Sequence, residues 1–201
     1  DAITLGNHAY RHTEVYGFLD TEERIVRPAN YPRAAPGRGV TVVEKDGIAL
    51  GVVNLSGSLF VEAARSAFPE VDAALSDLRG RATHVLVDMH AEATSEKVAM
   101  GWHVDGRVTA CVGTHTHVPT ADCRVLPGGT AYCTDVGMTG PRGGVIGVKK
   151  EAALERFRTM TNVRFETSSE DPWINAVLIE ADADGRATAI EQILEPAPGV
   201  E

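Results

Sequence analysis

Two short motifs far apart in the chain, Gly6-Asn7-His8 and Gly113-Thr114-His115-Thr116-His117, carry residue types that hold borderline divalent cations, and a lone His90 lies between them. Imidazole nitrogen and amide oxygen suit manganese, iron or zinc, and such ions ionise water and offset phosphate charge. The chemistry these residues point to is phosphoester hydrolysis. On an extended backbone the side chains of His115 and His117 fall on one side, so both rings reach into one small volume. His-x-His is weak as a bare pattern and gains weight from its place behind Gly113 and after a buried strand. His90 alone reads as structural, and Gly-Asn alone as a turn. Three polar motifs at three strand ends change both readings. His12, His84 and His103 lack such a setting and read as solvated, capping or packed.

The elements that must position these groups alternate between strand and helix. Residues 1 to 5 read as the middle of a buried strand, which puts Asn7 and His8 just past a strand end. Val40 to Glu44 and Ile48 to Asn54 read as an antiparallel pair around Lys45-Asp46-Gly47, since Asp-Gly is a strong hairpin signal. Val71, Ala74, Leu75 and Leu78 mark one face of a helix from Glu70 to Gly80. A strand from His84 to Met89 then delivers His90. Thr94 reads as the N-cap of a helix over Ser95 to His103, with Glu96 in its first turn. Val108 to Val112 is the next strand, and the paired histidines follow it directly. Open α/β sheets bind ligands at this carboxyl edge. Thr130 to Thr134 reads as a short strand before the glycine-rich stretch 135 to 147, Lys149 to Met160 as a helix, and Trp173 to Glu180 and Ala187 to Leu194 as two closing strands. The proline- and glycine-rich run from Pro28 to Gly39 reads as an ordered loop, because apolar patterning resumes at once.

Composition narrows the class. A chain of 201 residues that is 43% hydrophobic and 23% charged can bury the core of one domain. Its net charge of −9 argues against a broad basic surface for duplex nucleic acid or anionic membrane. A phosphate-bearing substrate therefore needs local cationic charge. No apolar run reaches the roughly 20 residues that span a bilayer. Cys111, Cys123 and Cys133 are an odd number without Cys-x-x-Cys spacing, which points to reduced thiols and a cytoplasmic setting. They read as small buried hydrophobes.

Together, Gly6-Asn7-His8, His90 and Gly113-Thr114-His115-Thr116-His117 resemble the calcineurin-like metallophosphoesterases. The stretches Arg27-Pro28-Ala29-Asn30-Tyr31-Pro32, Asp88 to Lys97, Met100-Gly101-Trp102, Asp105-Gly106-Arg107 and Thr134 to Pro141 look like the bacterial YmdB-type phosphodiesterase subfamily, and they run across nearly the whole chain. The resemblance implies an α/β fold, a four-layer α/β/β/α sandwich with a dimetal centre at the sheet edge. It implies that Asn7, His90 and His115 bind one metal and His117 the other, that a metal-bridging hydroxide attacks phosphorus, and that His8 protonates the departing alkoxide. It also implies phosphodiester substrates, 2′,3′-cyclic AMP among them, with manganese or iron as the metals.

Family members carry an Asp, a bridging Glu and a second Asn upstream of the Gly-Asn-His block, and these have no counterpart ahead of Asp1. The expectation is one metallophosphoesterase domain over residues 1–201 that is incomplete at its N-terminus, with neutral ligands that lack charge compensation and first strands missing from the sheet. Glu92 and Asp135 are candidates to orient ligand imidazoles, Thr94 or Ser95 to touch phosphate from a helix N-terminus, and Arg107 and Arg142 to clamp it. Two other readings stay open: a phosphomonoesterase or pyrophosphatase on the same site, and a nucleotide-binding regulator without catalysis. A symmetric homo-oligomer is a further expectation.

Overall fold

Alternating apolar positions and tight turns set the elements, and a computed structural model describes them for residues 1–61 and 65–198. The strands are β1 (Ile3–Thr4), β2 (Ile25–Val26), β3 (Val40–Lys45), β4 (Ile48–Ser56), β5 (His84–His90), β6 (Ala110–Thr114), β7 (Arg124–Val125), β8 (Ala131–Cys133), β9 (Gly140–Pro141), β10 (Pro172–Ala181) and β11 (Ala187–Pro196). The helices are α1 (Tyr16–Thr21), α2 (Ala67–Leu78), α3 (Thr94–Val104) and α4 (Lys150–Thr159). Gly6–His8 forms a single 3-10 turn.

Six strands form the main sheet in the order β3-β4-β5-β6-β8-β7. The apolar runs β4, β5, β6 and β8 are parallel, and the edge strands β3 and β7 run antiparallel to their neighbours. Buried parallel strands need helical crossovers, and α2 and α3 supply them. One face of the sheet packs against these helices through Val53, Leu55, Val71, Leu78, Val87, Met89, Met100 and Val104. The other face meets the β10–β11 hairpin through Ala110, Ala131 and Ala187, with Leu86, Ile179 and Ile190 around them. Helix, sheet and sheet therefore stack in layers, which is the α/β class expected from the sequence.

Side-chain alternation along β5 decides what faces the site. Val85, Val87 and Met89 enter the helix-side core. Asp88 and His90 have the parity of Leu86, which packs on the hairpin side. In register, His90 sits between Ser56 and Thr114, and Asp88 between Asn54 and Val112.

Several boundaries differ from the sequence reading. Helix α2 begins at Ala67, three residues before Glu70, because Pro69 is tolerated in a first turn whose N–H groups lack helical partners anyway. Ala93 rather than Thr94 occupies the cap of α3, and Thr94 is its exposed first residue. The opening strand is short and pairs with β2 in a two-stranded sheet, and Ile3 is 55% exposed rather than buried. Among the described residues no helix is long and apolar enough to cross a membrane.

Candidate metal centre

Three donor atoms converge at the carboxyl edge of β5 and β6. Asn7 Oδ1 lies 2.9 Å from His90 Nε2, and His115 Nδ1 lies 3.2 Å from the same nitrogen. Gly6 makes the approach possible. Its φ of +65° suits glycine, and a Cβ built there would sit 2.4 Å from His90 Cε1.

Hydrogen bonds on the far side of each ring fix which nitrogen carries the proton. Thr114 donates its hydroxyl to Asp88 Oδ1 at 2.7 Å, so its oxygen accepts from His90 Nδ1 at 2.9 Å. His115 Nε2 lies 3.1 Å from Glu92 Oε2, and a carboxylate there requires N–H on that nitrogen. The lone pairs of His90 Nε2 and His115 Nδ1 are thereby left facing each other and the Asn7 carbonyl oxygen. Two acceptors set about 3 Å from a third repel it unless a cation lies among them, and ~3 Å separates neighbouring ligands placed 2.0–2.1 Å from a metal at right angles. The donors fit a divalent metal in element, tautomer and spacing. Burial, reinforced by the charges of His115 and Lys97, pushes the His90 pKa down to about 4, so the ring is neutral near pH 7 and free to ligate.

His117 follows the same rule, since its Nδ1 donates to the Ile146 carbonyl at 3.0 Å and Nε2 is left as the ligating atom. The ring is exposed. His115 and His117 both adopt positive φ, 101° and 68°, strained values for residues with a Cβ. The expected strand-like alternation of this pair is therefore replaced by a contorted loop. His8 is exposed at the end of its 3-10 turn, near enough for its charge to depress the His90 pKa. Among the described residues no three His, Cys, Asp or Glu side chains form a metal-holding cluster. The convergence here depends on an asparagine, and its ligands are neutral.

A buried polar chain, not foreseen from the sequence, ties the ligands to the sheet. Gly6 N donates to Asn54 Oδ1 at 3.3 Å, and Asn54 Nδ2 donates to Asp88 Oδ2 at 3.0 Å. Asn54 and Asp88 look unremarkable in sequence because they interrupt apolar strands singly. Their parity, two residues before strand ends that carry polar groups, is the signal that could have found them.

Among the described residues the Asp135 carboxylate bonds to a lysine and to backbone N–H groups rather than to an imidazole. Its Oδ2 accepts from Lys97 Nζ at 2.6 Å and from Thr116 N at 3.1 Å, and its Oδ1 accepts from Gly137 N at 2.8 Å. Both side chains of the pair are 1% exposed. The pair thus holds the loop between His115 and His117. The Lys97 side chain runs beneath Gly113, where a Cβ would lie 2.8 Å from its Cδ and 1.7 Å from the Thr134 carbonyl oxygen. Thr94 makes no capping contact, and Arg107 is spent at the surface on Asp72 at 2.7 Å. Arg142 stacks on Trp173, its guanidinium carbon 3.9 Å from the ring centre.

A parallel-centred sheet layered between helices and a β-hairpin, with metal-type donors at its carboxyl edge, defines a metallophosphoesterase domain. The chain belongs to the YmdB-like protein family, whose model matches residues 1–193. It is 46% identical over 195 residues to the 2′,3′-cyclic-nucleotide 2′-phosphodiesterase of Bacillus subtilis, covering 96% of this chain and 74% of that protein. The crystal structure of a hypothetical protein from Thermus thermophilus superposes with a TM-score of 0.92 at 41% identity, covering 98% of this chain and 77% of the other. A phosphatase from Mycoplasma pneumoniae superposes with a TM-score of 0.84 at 34% identity, covering 98% and 73%.

Proposed function

We propose that this chain carries the metal-binding edge of a phosphodiesterase that hydrolyses small nucleotides, 2′,3′-cyclic AMP among them, with manganese or iron as its metals. The observation that supports this most is the convergence of Asn7 Oδ1 and His115 Nδ1 on His90 Nε2, at 2.9 and 3.2 Å. The name of the Bacillus subtilis relative supports the substrate class. Asn7, His90 and His115 are the ligands to one ion and His117 a ligand to the second. Bound divalent metals supply charge stabilisation and a water ionised near neutral pH. The residues of this chain do the rest. Thr114, Asp88 and Glu92 hold the imidazoles in their ligating tautomers, and the Lys97–Asp135 pair sets the loop that carries His115 and His117. His8, exposed beside this edge, donates a proton to the leaving oxygen. The three free thiols agree with a reducing compartment.

The test is hydrolysis by a His8→Ala variant with manganese present. Loss of a general acid lowers kcat by about 10²–10⁴, while manganese affinity is retained. Unchanged kcat removes His8 from the chemistry. Loss of manganese binding instead makes His8 a ligand.

A further inference from the structure

Directly beside His117 lies a cavity of about 330 Å³ whose walls include Val118, Met138, Ile146, Arg142 and Asn175. Two of these apolar side chains are open to solvent, Val118 and Ile146 at 55% each. Ile146 is also held at φ 43°, a strained conformation for a β-branched residue. Such strain persists only where surrounding structure fixes it and gathers at ligand clamps. Here the Ile146 carbonyl accepts the His117 Nδ1 hydrogen, so one short segment both sets a metal-type ligand and forms a cavity wall.

The polar groups of the cavity are few and differ in kind, the pattern of a site that binds a flat, mostly apolar ligand and orients it at one edge. Asn175 Nδ2 donates to the Met138 carbonyl, which only accepts, so the amide orientation is fixed. Among the described residues its Oδ1 accepts no hydrogen bond and remains an acceptor for a ligand N–H. At the exposed rim, Arg142 presents a guanidinium already stacked on Trp173.

We infer that this cavity receives the base of a nucleotide whose phosphate lies at the His90–His115 edge, with Val118, Met138 and Ile146 against its faces and Asn175 Oδ1 accepting from an exocyclic amino group. The inference rests on the phosphodiesterase reading for the placement of the phosphate. It assigns a preference for bases with an amino donor, such as adenine, over uracil, which offers a carbonyl at the corresponding edge.

Adenosine, uridine and inorganic phosphate are titrated separately into the metal-free protein carrying ¹³C-methyl methionine, with the Met138 resonance assigned through Met138→Leu. Adenosine shifts that resonance, uridine does so at least tenfold more weakly, and phosphate leaves it in place. An adenosine titration that leaves Met138 unmoved overturns the inference, and equal responses to adenosine and uridine overturn the role of Asn175. In a second arm, kcat/KM is compared for 2′,3′-cyclic AMP and methyl riboside 2,3-cyclic phosphate, which lacks a base. Met138→Ala lowers the preference for the nucleotide by about tenfold, mainly through KM. A preference that stays constant while both esters are hydrolysed refutes the cavity alone. Adenosine binding without hydrolysis of either ester refutes the phosphodiesterase reading and leaves the cavity standing.

Discussion

Asn7 Oδ1 and His90 Nε2, 83 positions apart in sequence, face each other at 2.9 Å. The proton that would make this contact a hydrogen bond is held on Nδ1, on the other side of the ring, by Thr114 and Asp88. The relationship makes sense with a cation between the two atoms. Thr114→Val removes the relay without touching a ligand, frees the His90 tautomer, and is expected to weaken manganese binding by about 10–100-fold. Calorimetric titration of the metal-stripped variant measures it, and an unchanged affinity would show that the relay is incidental.

Gly6→Ala tests the close approach directly. An alanine at φ +65° carries roughly 1–2 kcal/mol of backbone strain, and its Cβ falls on the His90 ring. The expected result is a lower urea midpoint together with weaker manganese binding. A variant that loses stability but binds manganese as well as the parent would separate the turn from the site.

The Lys97–Asp135 pair is buried on both sides, so removing one partner leaves an unpaired charge in the core. Lys97→Met is expected to destabilise by about 3–5 kcal/mol in urea unfolding. Pairing it with Asp135→Asn should restore part of that loss, because the leftover charge is gone while an amide oxygen can still accept from Thr116 N. If the double variant is no more stable than Lys97→Met, charge burial is not the cause.

The metal-free protein should also lose stability in mild acid. The folded-state pKa of His90 is about 4, below the usual 6.5, so the unfolded chain binds the proton more readily between those values. Stability contributed by this residue is complete above about pH 6.5 and declines as pH falls toward 4. Buried Asp88 acts oppositely, since burial raises its pKa and protonation favours the folded state. The difference in Tm between the protein and a His90→Asn variant, followed through this window, isolates the histidine. A flat difference curve would contradict its neutral burial.

How far the sequence went depends on whether a residue's role is local. The β3–β4 hairpin was legible because Asp46-Gly47 and the flanking β-branched runs specify it within a few residues. His90, His115 and His117 were legible as strand-end residues because apolar runs mark β5 and β6. Asp135 was misread because its partner sits on α3, where Lys97 shares the buried stripe of Met100, Gly101 and Val104. That spacing was visible, but a lysine reads as solvated until its acid is placed nearby. Thr94 was misread as a cap for a similar reason: residue type favours it, yet the extended backbone at Ala93 sets the helix start. Strand β7 carries only two exposed residues and leaves no periodic trace.

The central claim is that Asn7, His90 and His115 hold a divalent metal that phosphodiester hydrolysis requires. The most direct measurement is metal content together with turnover of 2′,3′-cyclic AMP, made on the protein before and after chelation and on its His90→Ala variant. The account predicts bound divalent metal and turnover in the parent, loss of both on chelation, recovery with manganese, and neither in His90→Ala. Turnover that survives chelation, or a His90→Ala protein that keeps its metal and its rate, would contradict it.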